Sequence, residues 1–311
     1  MKICHVVSAN PYDYIGGTPI VVKHLREHMD SDYLYCRGKI FVIRSFIYTF
    51  FIAIWLMIKQ YDVVVLHDPA GYGYTLLPRF MRSKTIAMCQ GIWTDFGEMV
   101  EIKGLQRIKL WFAIRMQKRM INECDYVMAY CNYVKKRLIQ DYDVVKDKID
   151  VVYNGVDTKE LHPMHKHNKK IAIWVGDNPE AKKLDRSIDY IKKNKMRLIV
   201  VGVSGKNTRD IIYMGKVDHR KMPEIYNKAG TFVMLTDLPG PSLVLLEAMA
   251  CGLNIVANET EILPKAKNGL CKLDGKAARK IALEFEWEKV AKRHLEIYHK
   301  VFGGELPKNK I

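Results

Sequence analysis

The chain has no CxxC pair, no GxGxxG after its first β-type run and no low-complexity tract. It also has no apolar run of the roughly 20 residues that a membrane-spanning helix needs. Each absence removes a class of protein. The seven cysteines, at 4, 36, 89, 124, 131, 251 and 271, are an odd, scattered set in apolar surroundings such as "AMCQ" and "EAMACG". They read as small buried thiols in a reducing compartment, not as a disulfide framework. Without the glycine fingerprint a dinucleotide-dependent dehydrogenase is disfavoured. "MKICHVVSA" lacks the apolar length of a signal peptide and reads as a first strand, so a cytoplasmic location is expected and the sequon at Asn258 is idle. Acid is scarce as well: 34 Asp and Glu face 50 Lys and Arg, a formal charge of +16. That excess favours an anionic partner, such as nucleotide phosphates, an acidic membrane face or nucleic acid. The basic residues are spread along the chain with no recognised module to focus them, and nucleic acid is set aside.

What is present is a repeated alternation of short β-type runs with helical patterns. "KICHVV", "DVVVLH" (62–67), "KTIAMC" (84–89), "DYVMAY" (125–130) and "KIDVVY" (148–153) alternate with helices expected near 18–29, 45–58, 72–81 and 105–123. The pattern restarts with "IAIWVG" (171–176) and runs through "RLIVVG", "DIIYMG", "TFVML" and "NIVA". Uninterrupted apolar strands need a parallel sheet covered on both faces, so the expected architecture is α/β, two doubly wound Rossmann-like domains. Expected boundaries are 1–157, a solvated linker at 158–170 that holds His162, His165 and His167, a second domain at 171–284, and an amphipathic C-terminal helix from 285. Such sheets bind ligands beyond the carboxyl ends of their strands, so a central cleft between the domains is where function is expected. The apolar stretch 45–58 has two readings: a helix packed inside a domain, or a helix seated at a membrane surface between Arg44 and Lys59. "DYD" at 141–143 imitates a metal motif but reads as a surface turn.

The most informative segment is "DLPGPSLVLLEAMACG", residues 237–252. Pro241 is expected at the first helical position, with the unpaired N–H groups of Ser242, Leu243 and Val244 after it making an anion site. Glu247 follows about 7 Å along the axis, where a carboxylate can accept a hydrogen bond from each of two vicinal hydroxyls. Phosphate at the tip and a ribose diol beside the acid describe a nucleotide. The plainer reading is a helix start followed by a partly exposed acid.

"GPSLVLLEAMACGLNIVA" resembles the signature of glycosyltransferase family 4, retaining enzymes of GT-B fold. "MKICHVVSANPYDYIGGTPIVVKHL" is similar to the family's first strand and glycine loop, "KIDVVYNGVDTKELHP" to its domain junction, and "FEWEKVAKRHLEIYHKVF" to a closing helix that crosses back to the first domain. The resemblance implies roles residue by residue. Glu247 matches the second glutamate of an E-x7-E motif, the ribose ligand, and Ser242 and Leu243 the backbone that holds the distal phosphate. Gly16 and Gly17 match the glycine loop, Lys182 the diphosphate lysine, and Gly215 and Val217 the segment near the base. Lys182 and Glu247 are thereby the expected catalytic pair. On the acceptor side stand His67, Asp68, Gln90 and Trp93, together with Tyr12, Tyr14 and Asp95. Three positions depart from the family: Pro239 replaces the first glutamate, Asp177 the arginine that pairs with diphosphate, and Gln90 a histidine. Lys183 or Arg186 are the cations available to compensate for Asp177.

The resemblance implies transfer of a sugar, with retention, from a UDP- or GDP-sugar to a glycan or lipid-linked acceptor. The leaving diphosphate takes the acceptor proton, so neither a protein base nor a metal or other cofactor is expected. Helix 45–58 and the basic surface imply peripheral contact with the inner face of a membrane. The alternative is a degenerate GT-B homologue that serves as a binding partner or scaffold, and its evidence is the three departures.

Overall fold

Val63 to Leu66 are buried without exception, and a strand is buried on both faces only where helices cover both sides of its sheet. The computed structural model describes residues 1–12, 17–35, 43–67, 71–99, 103–237, 240–266 and 268–303. It divides into two units, Met1–Tyr153 with Trp287–Ile311, and Asn154–Glu286.

In unit 1 the strands are β1 (Ile3–Val7), β2 (Asp32–Tyr35), β3 (Val63–His67), β4 (Lys84–Cys89), β5 (Tyr126–Ala129) and β6 (Ile149–Val151). They form one parallel sheet in the order β2-β1-β3-β4-β5-β6. The chain steps one way from β1 to β2 through α1 (Gly17–His28). It then steps the other way through α2 (Ile43–Lys59), α3 (Trp93–Met99), α4 (Leu105–Glu123) and α5 (Asn132–Tyr142). Right-handed crossovers put α1 on one face of the sheet and α2, α4 and α5 on the other. Packing agrees, because Leu56 of α2, Met120 and Ile121 of α4 and Leu138 of α5 share one core cluster.

The last helix, α10 (Trp287–Phe302), covers the α1 side. Trp287 stacks on His24 of α1 with ring centroids 5.1 Å apart, and Lys300 donates to the Tyr126 hydroxyl and to Asp150 on β5 and β6. The helix expected near 72–81 is instead two short 3₁₀ turns, Tyr74–Leu76 and Arg79–Met81. Pro78 lies between them, and a residue with no N–H cannot continue an α-helix.

Unit 2 contains β7 (Ile171–Val175), β8 (Arg197–Val201), β9 (Ile211–Tyr213), β10 (Thr231–Met234), β11 (Asn254–Asn258) and β12 (Leu270–Leu273). The order is β12-β11-β10-β7-β8-β9, parallel except for β12. Its helices are α6 (Leu184–Lys193), α7 (Met222–Asn227), α8 (Leu243–Ala250) and α9 (Gly275–Ala282). From β7 the chain runs to β8 and β9 on one side, then returns to β10 on the other. The strand order therefore reverses between β7 and β10, and the loops that leave their carboxyl ends diverge around a crevice.

The stretch 158–170 is largely exposed, His165 included, but its backbone is docked on unit 2. Asn227, buried completely, donates to the carbonyl of His162 and accepts from the Met164 amide, and its Oδ1 lies 3.0 Å from His167 Nε2. A buried amide must fill its hydrogen bonds, and Asn227 fills them with this segment and with the Pro223 carbonyl of its own helix. Leu161 is buried in the core of unit 2. Among the described residues no group of three or more His, Cys, Asp or Glu is placed to hold a metal. Asp141 and Asp143 of "DYD" pair with Arg137 and Lys118.

Candidate functional site

The reversal point of unit 2 brings together the two segments that the sequence singles out. The β7 loop carries Asp177 and Lys182, and the β10 loop leads into α8. Direct bonds tie the loops: Thr236 Oγ1 donates to the Ala181 carbonyl at 3.1 Å, and Asn258 Nδ2 donates to the Thr236 carbonyl at 2.8 Å. Beside them the backbones of β7 and β8 converge. A Cβ on Gly202, which has φ +103, would sit 2.2 Å from the Gly176 carbonyl oxygen, so no other residue fits there. The Gly202 amide donates to the carbonyl of Gly215, which holds the segment that leads to Val217.

Ser242, not Pro241, marks the start of α8: it caps the helix in extended conformation, Leu243 is the first helical residue, and the Ser242 hydroxyl accepts from the Leu245 amide at 3.3 Å. The amides of Leu243 and Val244 come before the first amides that bond back to the Ser242 carbonyl, those of Leu245 and Leu246, so the helix end keeps donors for an anion. Glu247, one turn further on, is not the half-exposed acid that the plainer reading expects; it is 7% exposed. The Tyr226 hydroxyl donates to Oε2 at 2.8 Å, and His219 Nε2 lies 3.1 Å from Oε1. Burial, then the Glu247 charge, push the Tyr226 phenol well above its ordinary pKa, so it stays protonated as a donor. An ionised carboxylate only accepts, which places the His219 proton on Nε2. Each Glu247 oxygen thus meets a side-chain donor.

Lys182 is committed to a partner. Its Nζ is 3.4 Å from Asp177 Oδ1, whose side chain is 84% exposed. Removal from water pushes the Asp177 carboxyl up. The charge of Lys182 and the amides of Asp177 and Asn178 outweigh that and hold it below the usual range. Arg186 is paired too, with Asp237 of the β10 loop. Lys183, half-buried in a left-handed conformation at the start of α6, forms no ion pair among the described residues.

In unit 1 the acceptor-side residues separate. His67 is a correction: it lies in the core, with Nε2 3.0 Å from His5 Nδ1, and its imidazole has no exposed surface to offer an acceptor. Gln90 and Trp93 flank the β4–α3 turn, which the buried Gln117 of α4 holds by accepting from the Trp93 amide and donating to the Gly91 carbonyl. Asp95 is buried and ion-paired with Arg137. Tyr12 is exposed, with its hydroxyl on Arg26. Gly17 opens α1 at φ +58, with nothing within 4 Å of where a Cβ would stand. Gly16, Tyr14, Asp68 and Pro239 lie outside the described residues.

Sequence reasoning misses His219, Tyr226 and Gln117. The signal for the first two was "VDHRKMPEIY": Asp218 caps the turn at His219, and Tyr226 comes two turns after it.

Residues 16–160 match the model of "Glycosyltransferase Family 4" and residues 161–283 that of "Glycosyl transferases group 1", so the two matches run on without a gap. The chain is 24% identical over 292 residues to an uncharacterized 41.2 kDa protein in the cps region of Klebsiella pneumoniae, with 80% of each covered. Among solved structures it is similar to sucrose-phosphate synthase from Thermosynechococcus elongatus, with a TM-score of 0.79 at 15% identity and 97% and 99% of the two chains covered. It is also similar to Anabaena HepE in complex with UDP and glucose, with a TM-score of 0.66 at 14% identity and 97% and 95% covered.

Proposed function

Given that this chain is a glycosyltransferase of the family 4 type with the GT-B fold, we propose that it moves a hexose, with retention of configuration, from a UDP- or GDP-sugar to a glycan or lipid-linked acceptor. One observation carries the reading: the reversal point of unit 2 collects a capped helix end, a lysine and a buried carboxylate. The amides at Ser242 and Leu243 and the Lys182 ammonium would hold the diphosphate. Glu247, braced by Tyr226 and His219, would accept from the two ribose hydroxyls. Gly215 and Val217 would line the base. HepE, a structural neighbour, is described with UDP and glucose bound.

In the reaction the bond between the anomeric carbon and the diphosphate oxygen breaks, and its electrons leave with the diphosphate. The acceptor oxygen bonds to the same carbon from the same face, and its proton passes to a diphosphate oxygen. This chain's contribution is to stabilise that leaving charge and to fix the donor. No protein base or metal is required by such a path. The check is release of nucleoside diphosphate from UDP-glucose, UDP-galactose and GDP-mannose in excess EDTA, followed by proton NMR. The expected sugar product carries the donor's anomeric configuration when first formed. An inverted product, or turnover only after a divalent metal is added, contradicts the reading.

Asp177 weakens the same site. It stands where the family has an arginine, and it draws on the charge of Lys182. Asp177→Asn should tighten UDP binding about two- to fivefold, since an exposed pair is worth at most about 1 kcal/mol. Calorimetry in low salt checks this, and weaker binding by the variant would exclude Lys182 as a diphosphate ligand.

A further inference from the structure

Three stretches of unit 1, residues 43–59, 71–84 and 103–122, contain no Asp or Glu at all, only Lys and Arg as charges. They form α2, the two 3₁₀ turns and α4, which connect successive strands on one face of the sheet and pack inward into one core cluster. Their outward surfaces are unusually apolar. On α2, Phe50, Phe51 and Ile58 are exposed, although Ile52 and Leu56 of the same helix are buried. Phe80 in the second 3₁₀ turn is 88% exposed.

On α4 the pattern is sharper. At about 100° per residue, Leu105, Ile108, Trp111 and Phe112 occupy one outward sector opposite the buried Gln117, Met120 and Ile121. Arg115 and Arg119 continue that sector along the helix, and Arg107 and Lys109 flank it. The Arg115 guanidinium lies 4.6 Å from the centre of the Trp111 ring.

A helix that turns its aromatic face outward and borders it with cations matches a headgroup boundary. We propose that this face of unit 1 seats the protein on an anionic lipid bilayer, with Phe80, Trp111 and Phe112 entering the headgroup boundary and Arg107, Lys109 and Arg115 against lipid phosphates. The sequence reading expects membrane contact through 45–58 and the basic surface at large; the structure adds the turns and α4 to the layer that holds α2. Charge complementarity decides the occupant. A second copy would set this patch against itself, cation against cation, because a two-fold interface is self-complementary and the three stretches hold no acid to meet the arginines. No described helix is long and apolar enough to cross the bilayer, so the seating is peripheral. The inference does not depend on the donor site.

The test is flotation of the full chain, without nucleotide, with vesicles of phosphatidylcholine and with vesicles of an equimolar phosphatidylcholine–phosphatidylglycerol mixture. The wild type should float with the anionic vesicles only. Trp111→Ser with Phe112→Ser, and separately Arg107→Glu with Arg115→Glu, should each lower bound protein about tenfold or more. These side chains are exposed, so thermal unfolding should not change, and it is measured on the same samples. Equal binding to both vesicle types, no binding by folded wild-type protein, or binding that both pairs of substitutions leave intact would overturn the proposal. Failure to float together with a dimer in sedimentation that Trp111→Ser with Phe112→Ser dissolves would also overturn it, and would assign the face to a second copy.

Discussion

Glu247→Gln leaves the protein folded and costs it about ten- to a hundredfold in affinity for its nucleoside diphosphate sugar. The amide keeps the shape of the carboxylate and still offers one oxygen to the Tyr226 hydroxyl, which donates to Glu247 at 2.8 Å. What it loses is the charge and one acceptor. Hydrogen bonds to a charged group are worth about 1.5–3 kcal/mol, and 1.4 kcal/mol is tenfold in binding. Glu247→Ala is a poorer probe, because it also leaves the fully buried Tyr226 hydroxyl only the long 3.4 Å bond to the Val244 carbonyl and should lower stability by about 1–3 kcal/mol. Calorimetry and urea unfolding of both variants separate the two effects. Full affinity in Glu247→Gln would remove this residue from the donor site.

Acid unfolds the protein steeply, through three histidines that the proposed reaction does not use. His5 on β1, His67 on β3 and His294 on α10 are buried completely in unit 1. Burial, then the Arg26 charge, hold His5 down to about 3; burial, then His5, hold His294 to about 3. Burial, then His5 and His294, hold His67 well below its ordinary value. All three are therefore neutral in the fold, and the unfolded chain protonates them below about pH 6.5. Their contribution is fully present above that pH and falls as the pH drops toward 3. The loss is about 1.4 kcal/mol per pH unit for each histidine, or about 4 kcal/mol together. Few domains keep a reserve of more than about 15 kcal/mol, so unfolding is expected between about pH 5 and 4. Urea denaturation at pH 6 and pH 5 measures the slope, and His67→Asn should flatten it by about a third. An unchanged slope would show that His67 is already charged in the fold.

How far the sequence carries depends on where each residue's partners come from. The strands were legible because parallel strands covered on both faces are apolar without a break, as Val63 to Leu66 are. The start of α8 was legible because Pro-Gly-Pro-Ser is local chemistry that declares a helix end. The bracing of Glu247 was not: Tyr226 and His219 reach it from another crossover, 21 and 28 residues back in the chain. His67 looked like a loop-end residue because a strand buried on both sides gives no alternation to say which way its last side chain points. Nor does "HPMHKHNKK" reveal that Asn227, 65 residues on from His162, will take up its backbone groups. The exposed face of α4 was hidden for a related reason. Its helical pattern is plain, but only the sheet decides which side is inward, and the side left outward is the more aromatic one.

The central claim is that the reversal point of unit 2 binds a sugar nucleotide despite Asp177. Calorimetric titration of the full chain with UDP-, GDP-, CMP- and dTDP-sugars in EDTA tests it most directly. The account predicts a single clear ligand, with its binding heat abolished when Lys182→Ala is combined with Glu247→Gln. If no member of the panel binds at millimolar concentration, or the double variant binds as the wild type does, the site is not where the donor is held. The first of those outcomes would favour a degenerate homologue that works through a partner.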